Sequence, residues 1–165
     1  MKLTESLQFG FSSQLGEAAA LEFVRDVQRS LASSYLLEDL QVRAGEPALV
    51  SANLPVNTPL FGRRELPFVS ELHLTPDGAA LVPVATQAEG RGWAAVGGVA
   101  RVAPEGAGSR IEYALDLTIF LDVPEAERWG TRALTKMIEM TASSVLRQLS
   151  ERLRSAVEQA ARPAA

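Results

Sequence analysis

The chain has 165 residues, of which 47% are apolar and 22% charged, and it carries a net charge of −4 at neutral pH. A chain of this size and balance makes one globular domain and buries roughly two thirds of its unfolded surface without covalent staples. It has no cysteine, which excludes disulfides, thiol catalysis and thiolate metal sites, and its acidic balance offers no basic stripe for nucleic acid.

The first residues lack the apolar run of a signal peptide. No stretch approaches 18 apolar residues, so no membrane span is expected. The absence of cysteine fits a reducing compartment, and a cytoplasmic location is the expectation. Lys2 and Lys136 are the only lysines, the other fourteen basic residues being arginines. With abundant Ala and Gly, this reflects a GC-rich bacterial coding sequence rather than a site.

Leu3, Leu7, Phe9 and Phe11 alternate with Thr4, Ser6, Gln8 and Gly10. This predicts a first strand with a largely apolar odd face. A helix is expected from about Glu17, with Ala20, Val24, Val27, Leu31 and Tyr35 as its buried stripe and Phe23 beside it. Glu22 with Arg25, and Asp26 with Arg29, have the spacing of ion pairs on its wet side. Ser33, Ser34 and the stretch near Glu38 and Asp39 are places where it would break, and the helical region should end by about Leu40.

From Pro47 onward the chain reads as β. Ala48 to Leu54 forms one strand, and a stretch punctuated by Pro55, Pro59 and Pro67 leaves the strand count between 47 and 67 open. Pro67 and Pro83 belong at edges or bulges, because proline cannot donate to a ladder. Phe68 to Thr75 is a strand with Phe68, Ser70, Leu72 and Leu74 inward. Pro76, Asp77 and Gly78 then make a turn, and Ala80 to Ala85 returns.

Trp93 to Val102 and Ser109 to Leu121 form a pair joined by the loop Pro104 to Gly108. In the second of these, Ile111, Tyr113, Leu115, Leu117, Ile119 and Leu121 are apolar at every second position, while Arg110, Glu112, Asp116 and Thr118 fill most of the gaps. That is the pattern of one dry and one wet face. Asp122 and Glu125 have capping-box spacing, and Thr131 after Gly130 offers a second cap. Leu134, Ile138, Thr141, Val145, Leu149, Leu153 and Ala156 then fall on one helical stripe. The terminal helix runs to about Ala160, leaving a domain over 1–161 and a disordered tail over 162–165.

The order strand, helical segment, antiparallel strands and long C-terminal helix resembles the START-like, or SRPBCC, helix-grip superfamily. The likeness is greatest from Gly92 to Val102, in the glycine-containing hairpin, in Ser109 to Leu117 and in the terminal helix. These look like two branches of the superfamily, the polyketide-cyclase-like proteins and those related to a small component of carbon monoxide dehydrogenase. The resemblance implies an α+β fold in which a curved antiparallel β-sheet wraps around a long C-terminal α-helix. It also implies that the space between sheet and helix holds an apolar ligand. No catalytic or binding residue transfers position by position, and the proline-rich stretch over 55–67 departs from a plain meander.

One feature of the residues points the same way. If Arg101 faces water, Ala94, Val96, Gly98, Ala100 and Val102 face inward, and they are small. Opposite a helix carrying Met137, Ile138 and Val145 they leave volume that larger side chains would fill. Close helix-on-sheet packing is the competing expectation.

Reactive constellations are scarce. His73 is the only histidine; it shares the outer face with Glu71, and two ligands do not make a metal site. Gly90, Gly92, Gly97 and Gly98 precede or occupy a strand rather than opening a helix, which is the wrong context for a phosphate loop. Glu112 and Asp116 lie on a wet face, as Glu151 and Glu158 do on the helix exterior. Tyr113 is on the dry face, where a phenol needs a hydrogen-bond partner. Trp93 and Trp129 sit near element ends, where they cap the core or line a cavity mouth. Arg147, Arg152 and Arg154 are interleaved with glutamates, the pattern of a solvated face.

The expectation is therefore a non-enzymatic domain that holds a small hydrophobic, lipid-like ligand and needs no cofactor or metal. Its binding residues would be Val96, Tyr113, Leu115, Leu117, Met137, Ile138, Thr141 and Val145, with Tyr113 or Thr141 setting orientation. The alternative is an interaction module or homodimer with a solid core, contacting through Leu60, Phe61 and Trp129. An enzyme of the cyclase or hydrolase type is the third reading.

Overall fold

In a computed structural model, residues 2–32, 37–58, 62–85, 92–121 and 132–162 are described. The chain order is β1 (Lys2–Ser13), α1 (Glu17–Arg25), α2 (Val27–Ala32), β2 (Glu38–Arg43), β3 (Ala48–Thr58), β4 (Gly62–Thr75), β5 (Gly78–Pro83), β6 (Gly92–Glu105), β7 (Gly108–Leu121) and α3 (Arg132–Ala160). The strands form one antiparallel sheet in the order β1-β7-β6-β5-β4-β3-β2. Among the described residues, only the β1–β7 pairing joins strands distant in sequence, with Phe9 opposite Tyr113 and Glu5 opposite Leu117.

The helix α3 is about 44 Å long at 1.5 Å per residue. It packs against both β1 and β3, near opposite margins of the sheet, and also against α2. One helix can meet both margins only if the sheet curls around it, so the architecture is α+β with a curved sheet gripping its terminal helix. The remaining concave surface is covered by α1, which lies on β5, β6 and β7. At the far end of α3, Val157 and Ala161 are buried against the sheet's first strands and α1.

The sheet bends where its strands are lightest. β5 pairs with β6 only from Gly78 to Leu81. At Gly98 the backbone has φ +147°, and a Cβ there would collide with the Ala114 carbonyl, so no larger residue fits. Where β5 gives out, the Ser70 hydroxyl reaches across and donates to the Val96 carbonyl at 2.6 Å. This fully buried serine ties β4 to β6 and satisfies an acceptor that the missing strand leaves.

Several expectations change. The helical region does not continue to Leu40: α1 stops at Asp26, which caps α2 by accepting from the Arg29 amide at 3.1 Å, and residues 38–43 form β2. The two ion pairs expected on α1 do not form. Arg25 instead donates to the Thr75 and Gly78 carbonyls at 2.6 and 3.1 Å, locking α1 onto the β4–β5 turn. Leu74 is not inward but 64% exposed, because the concave cover has ended there.

The proline-rich stretch resolves into the long strands β3 and β4. Pro55 pairs with Glu65 and Pro67 with Asn53. Both prolines lie beyond the reach of the strand on their other side, since β2 ends opposite Asn53 and β5 ends opposite Ser70. They occupy local edges, where a missing amide costs no ladder bond. The proposed caps at Asp122 and Thr131, and Tyr35, Leu60, Phe61 and Trp129, lie outside the described residues. So does the tail beyond Arg162.

Candidate functional site: a cavity between sheet and helices

The concave face does not pack into a single core. One buried cluster centres on β3 and β4 with Ala94, Ile119, Leu121 and Val27. A second joins Phe9, Tyr113, Ile111 and Val102 to α1 and to Val157 of α3. Between them the inward side chains Leu7, Val96, Leu115 and Leu117 are only half-buried, although they point away from bulk solvent by strand parity. An apolar side chain on the inside of a sheet stays half-exposed when nothing fills the space in front of it.

That space is a cavity of about 110 Å³. Its wall is almost wholly apolar and takes contributions from β1, β3 to β7, α1, α2 and the last turns of α3. The volume is comparable with an engineered apolar cavity of about 150 Å³ that stays dry and admits benzene. The small residues of β6 are responsible in part: Val96, Gly98 and Ala100 all border it. Arg101, on the opposite face, is exposed, as the parity argument requires.

Of the eight expected binding residues, Val96, Tyr113, Leu115 and Leu117 border this cavity. The side chains of Met137, Ile138, Thr141 and Val145 lie outside the described residues. From α3, the described wall residues are Leu153 and Val157. Trp93 does not line the cavity. It is on the convex face, stacked on Phe120 with ring centroids 3.8 Å apart.

Two polar side chains interrupt the apolar wall. The Tyr113 ring stacks on Phe9 at 5.1 Å and is 9% exposed, and its hydroxyl has no hydrogen-bond partner among the described residues. Burial pushes its pKa well above that of an ordinary phenol, so the group stays protonated. Glu5 lies on the same face, half-buried between Leu3 and Leu7. Sequence reasoning passed over Glu5, although its odd position in the apolar alternation of β1 was the signal. Asp116 also borders the cavity, but its exposed carboxylate is on the other face, accepting from Ser6 at 2.7 Å.

The remaining candidates are surface groups. His73 and Glu71 face each other at 2.9 Å on the outer face, and no cluster of metal-ligating residues exists among the described ones. Glu112 and Arg110 are neighbours on exposed strand positions. Arg154 pairs with Glu158 along α3. Among the described residues, no helix is long and apolar enough to cross a membrane.

Several solved structures share this geometry. An aromatase/cyclase, Zhui, from Streptomyces sp. R1128 superposes with a TM-score of 0.55 at 12% identity, over 96% of this chain and 94% of that one. The di-domain aromatase/cyclase BexL of the BE-7585A biosynthetic pathway gives 0.58 at 14% identity, over 99% of this chain and 52% of the longer protein. A START superfamily protein from Mycobacterium smegmatis gives 0.50 at 12% identity, over 96% and 97%. At these identities the likeness concerns the fold, which is START-like. No curated protein matches the sequence. A family model matches residues 8–151, from β1 through most of α3, and the chain belongs to the family described as protein of unknown function DUF3809.

Proposed function

We propose that this protein is a non-enzymatic carrier or sensor that binds a small apolar molecule in the cavity between sheet and helices. The observation that supports this reading is the hollow itself: half-buried leucines and a valine face about 110 Å³ of unfilled space. Native interiors normally leave few voids larger than a water molecule. An unfilled apolar space of this size forfeits dispersion contacts. Such a defect is tolerable when an occupant restores the contacts.

The binding residues would be Val96, Tyr113, Leu115 and Leu117 from the sheet, with Met137, Ile138, Thr141 and Val145 contributed by α3. The driving force would be desolvation, at roughly 25 cal/mol for each Å² of apolar ligand surface removed from water. The polar side chains of the wall would orient the ligand. Glu5 and Tyr113 are four ladder positions apart, which spaces them widely for joint acid–base work on one atom. Native mass spectrometry of gently purified protein should show co-purified apolar adducts. A lipophilic dye such as N-phenyl-1-naphthylamine should brighten on titration. A bare apo mass together with no dye response would remove the support for the reading.

A further inference from the structure

The cavity wall spends its other buried hydroxyls internally: Ser70 donates to the Val96 carbonyl, and Ser30 to the Val27 carbonyl. Tyr113 does not. Its ring is held between Phe9 and the residues that pack on α1 and α3, so the hydroxyl cannot swing out to find water. Nor is an ordered water a good partner in the cavity. A buried water needs two to four polar contacts, and the surrounding wall is apolar. The natural partner is an acceptor carried on the occupant.

Glu5 adds the second point. Its carboxylate has neither a hydrogen bond nor an ion pair among the described residues. By contrast Glu38, Glu71, Asp116 and Glu158 all have one. Leu3, Leu7, Phe9 and Phe11 show what the rest of that face carries. A charged group placed there, half-buried at the cavity wall, has its acceptor oxygens available to whatever lies inside.

The register fixes the separation. Tyr113 is opposite Phe9 and Leu117 is opposite Glu5. Four residues of antiparallel strand span about 13 Å, and both side chains stand off the same face. Allowing about 3 Å for a hydrogen bond at each end leaves roughly 7 Å between the ligand's two polar atoms. We propose that the occupant is a compact, ring-sized apolar molecule with a carbonyl-type acceptor at one end, facing the Tyr113 hydroxyl, and a donor such as an amine or hydroxyl about 7 Å away, facing Glu5. This rests on the cavity being a ligand site and specifies what that ligand must carry.

Three matched bicyclic probes test it: indane, 1-indanone, and 5-amino-1-indanone, whose nitrogen and oxygen lie at opposite ends. Dissociation constants come from chemical-shift titrations of the full chain. The expected order is aminoindanone tightest and indane weakest, each polar group adding roughly 3- to 10-fold. Tyr113→Phe should close the gap between indane and 1-indanone while leaving indane unchanged. Glu5→Leu should erase only the advantage of the amine. Equal affinity for all three in the wild type would overturn the proposal while leaving an apolar binding site intact. So would a uniform loss in Tyr113→Phe. Binding of none of them would overturn the cavity reading and this inference together. The wild-type order decides the matter by itself should a variant not fold.

Discussion

Filling the hollow separates an evolved void from a packed core more sharply than any ligand screen. Val96 borders the cavity from β6, half-buried and opposite Leu117. Val96→Phe adds about 50 Å³ of side chain, close to half of the space available, and at ~24 cal/mol for each Å³ of cavity removed this is worth about 1.2 kcal/mol of added stability. Phenylalanine is also well suited to a strand, and the Val96 carbonyl that Ser70 uses belongs to the unchanged backbone. In a solid core the same change would overpack and cost about 1–3 kcal/mol. The two expectations differ in sign. Urea unfolding reads the difference as a rise in the midpoint at constant slope. The variant should at the same time lose the dye response, since the ring occupies the site. A fall in the midpoint would refute the claim that the space is empty and accessible to a side chain.

Two further predictions follow from single groups. The folded-state pKa of Tyr113 is raised by burial. Stability from this group is therefore complete below the ordinary phenol value of about 10, and it declines above that value at up to about 1.4 kcal/mol per pH unit. Denaturant titrations from pH 9 to 11 should show that decline in the wild type and a shallower one in Tyr113→Phe, the difference between them isolating this group; parallel curves would contradict the burial. Arg25 joins α1 to the β4–β5 turn through two carbonyls. Arg25→Met should cost about 1.5–3 kcal/mol as charge-assisted bonds are lost, measured by the shift in urea midpoint, and a loss under 0.5 kcal/mol would show the contact to be dispensable.

How much of this was legible depended on how each element earns its burial. β1, β6 and β7 are covered on one face, so their alternation is clean and their positions follow from parity. β2 is the reverse case. It is the margin of the sheet, paired only with β3, and of its six residues Leu40 and Val42 alone are apolar. Its pairing shifts register between Glu38 and Gln41, with Asp39 at φ +55°. An edge strand this polar has little hydrophobic period to read, so the helical pattern before it extends through it on sequence grounds alone. The end of α1 is obscured for another reason. The spacing of Asp26 and Arg29 suggests a contact between side chains, whereas Asp26 serves Arg29 through the backbone and starts a new helix.

The hollow lies at the boundary of what a sequence can specify. Small residues at Val96, Gly98 and Ala100 reduce the volume on one strand, but whether space remains depends on how far the sheet lifts from the helices. That curvature is set at long range, by β5 ending early and by Gly98 taking a conformation closed to other residues. Had the sheet been flatter, the same small residues would have let α1 settle closer and the core would be solid. The polar groups in the wall argue in the same direction. A solid core would leave the Tyr113 hydroxyl sealed without a partner, at about 1–3 kcal/mol, for no structural return. The phenylalanines at positions 9 and 11 show that a plain ring packs on this face equally well. The hydroxyl therefore has its use toward the cavity, and Glu5 on the same wall extends that use to a second point of contact.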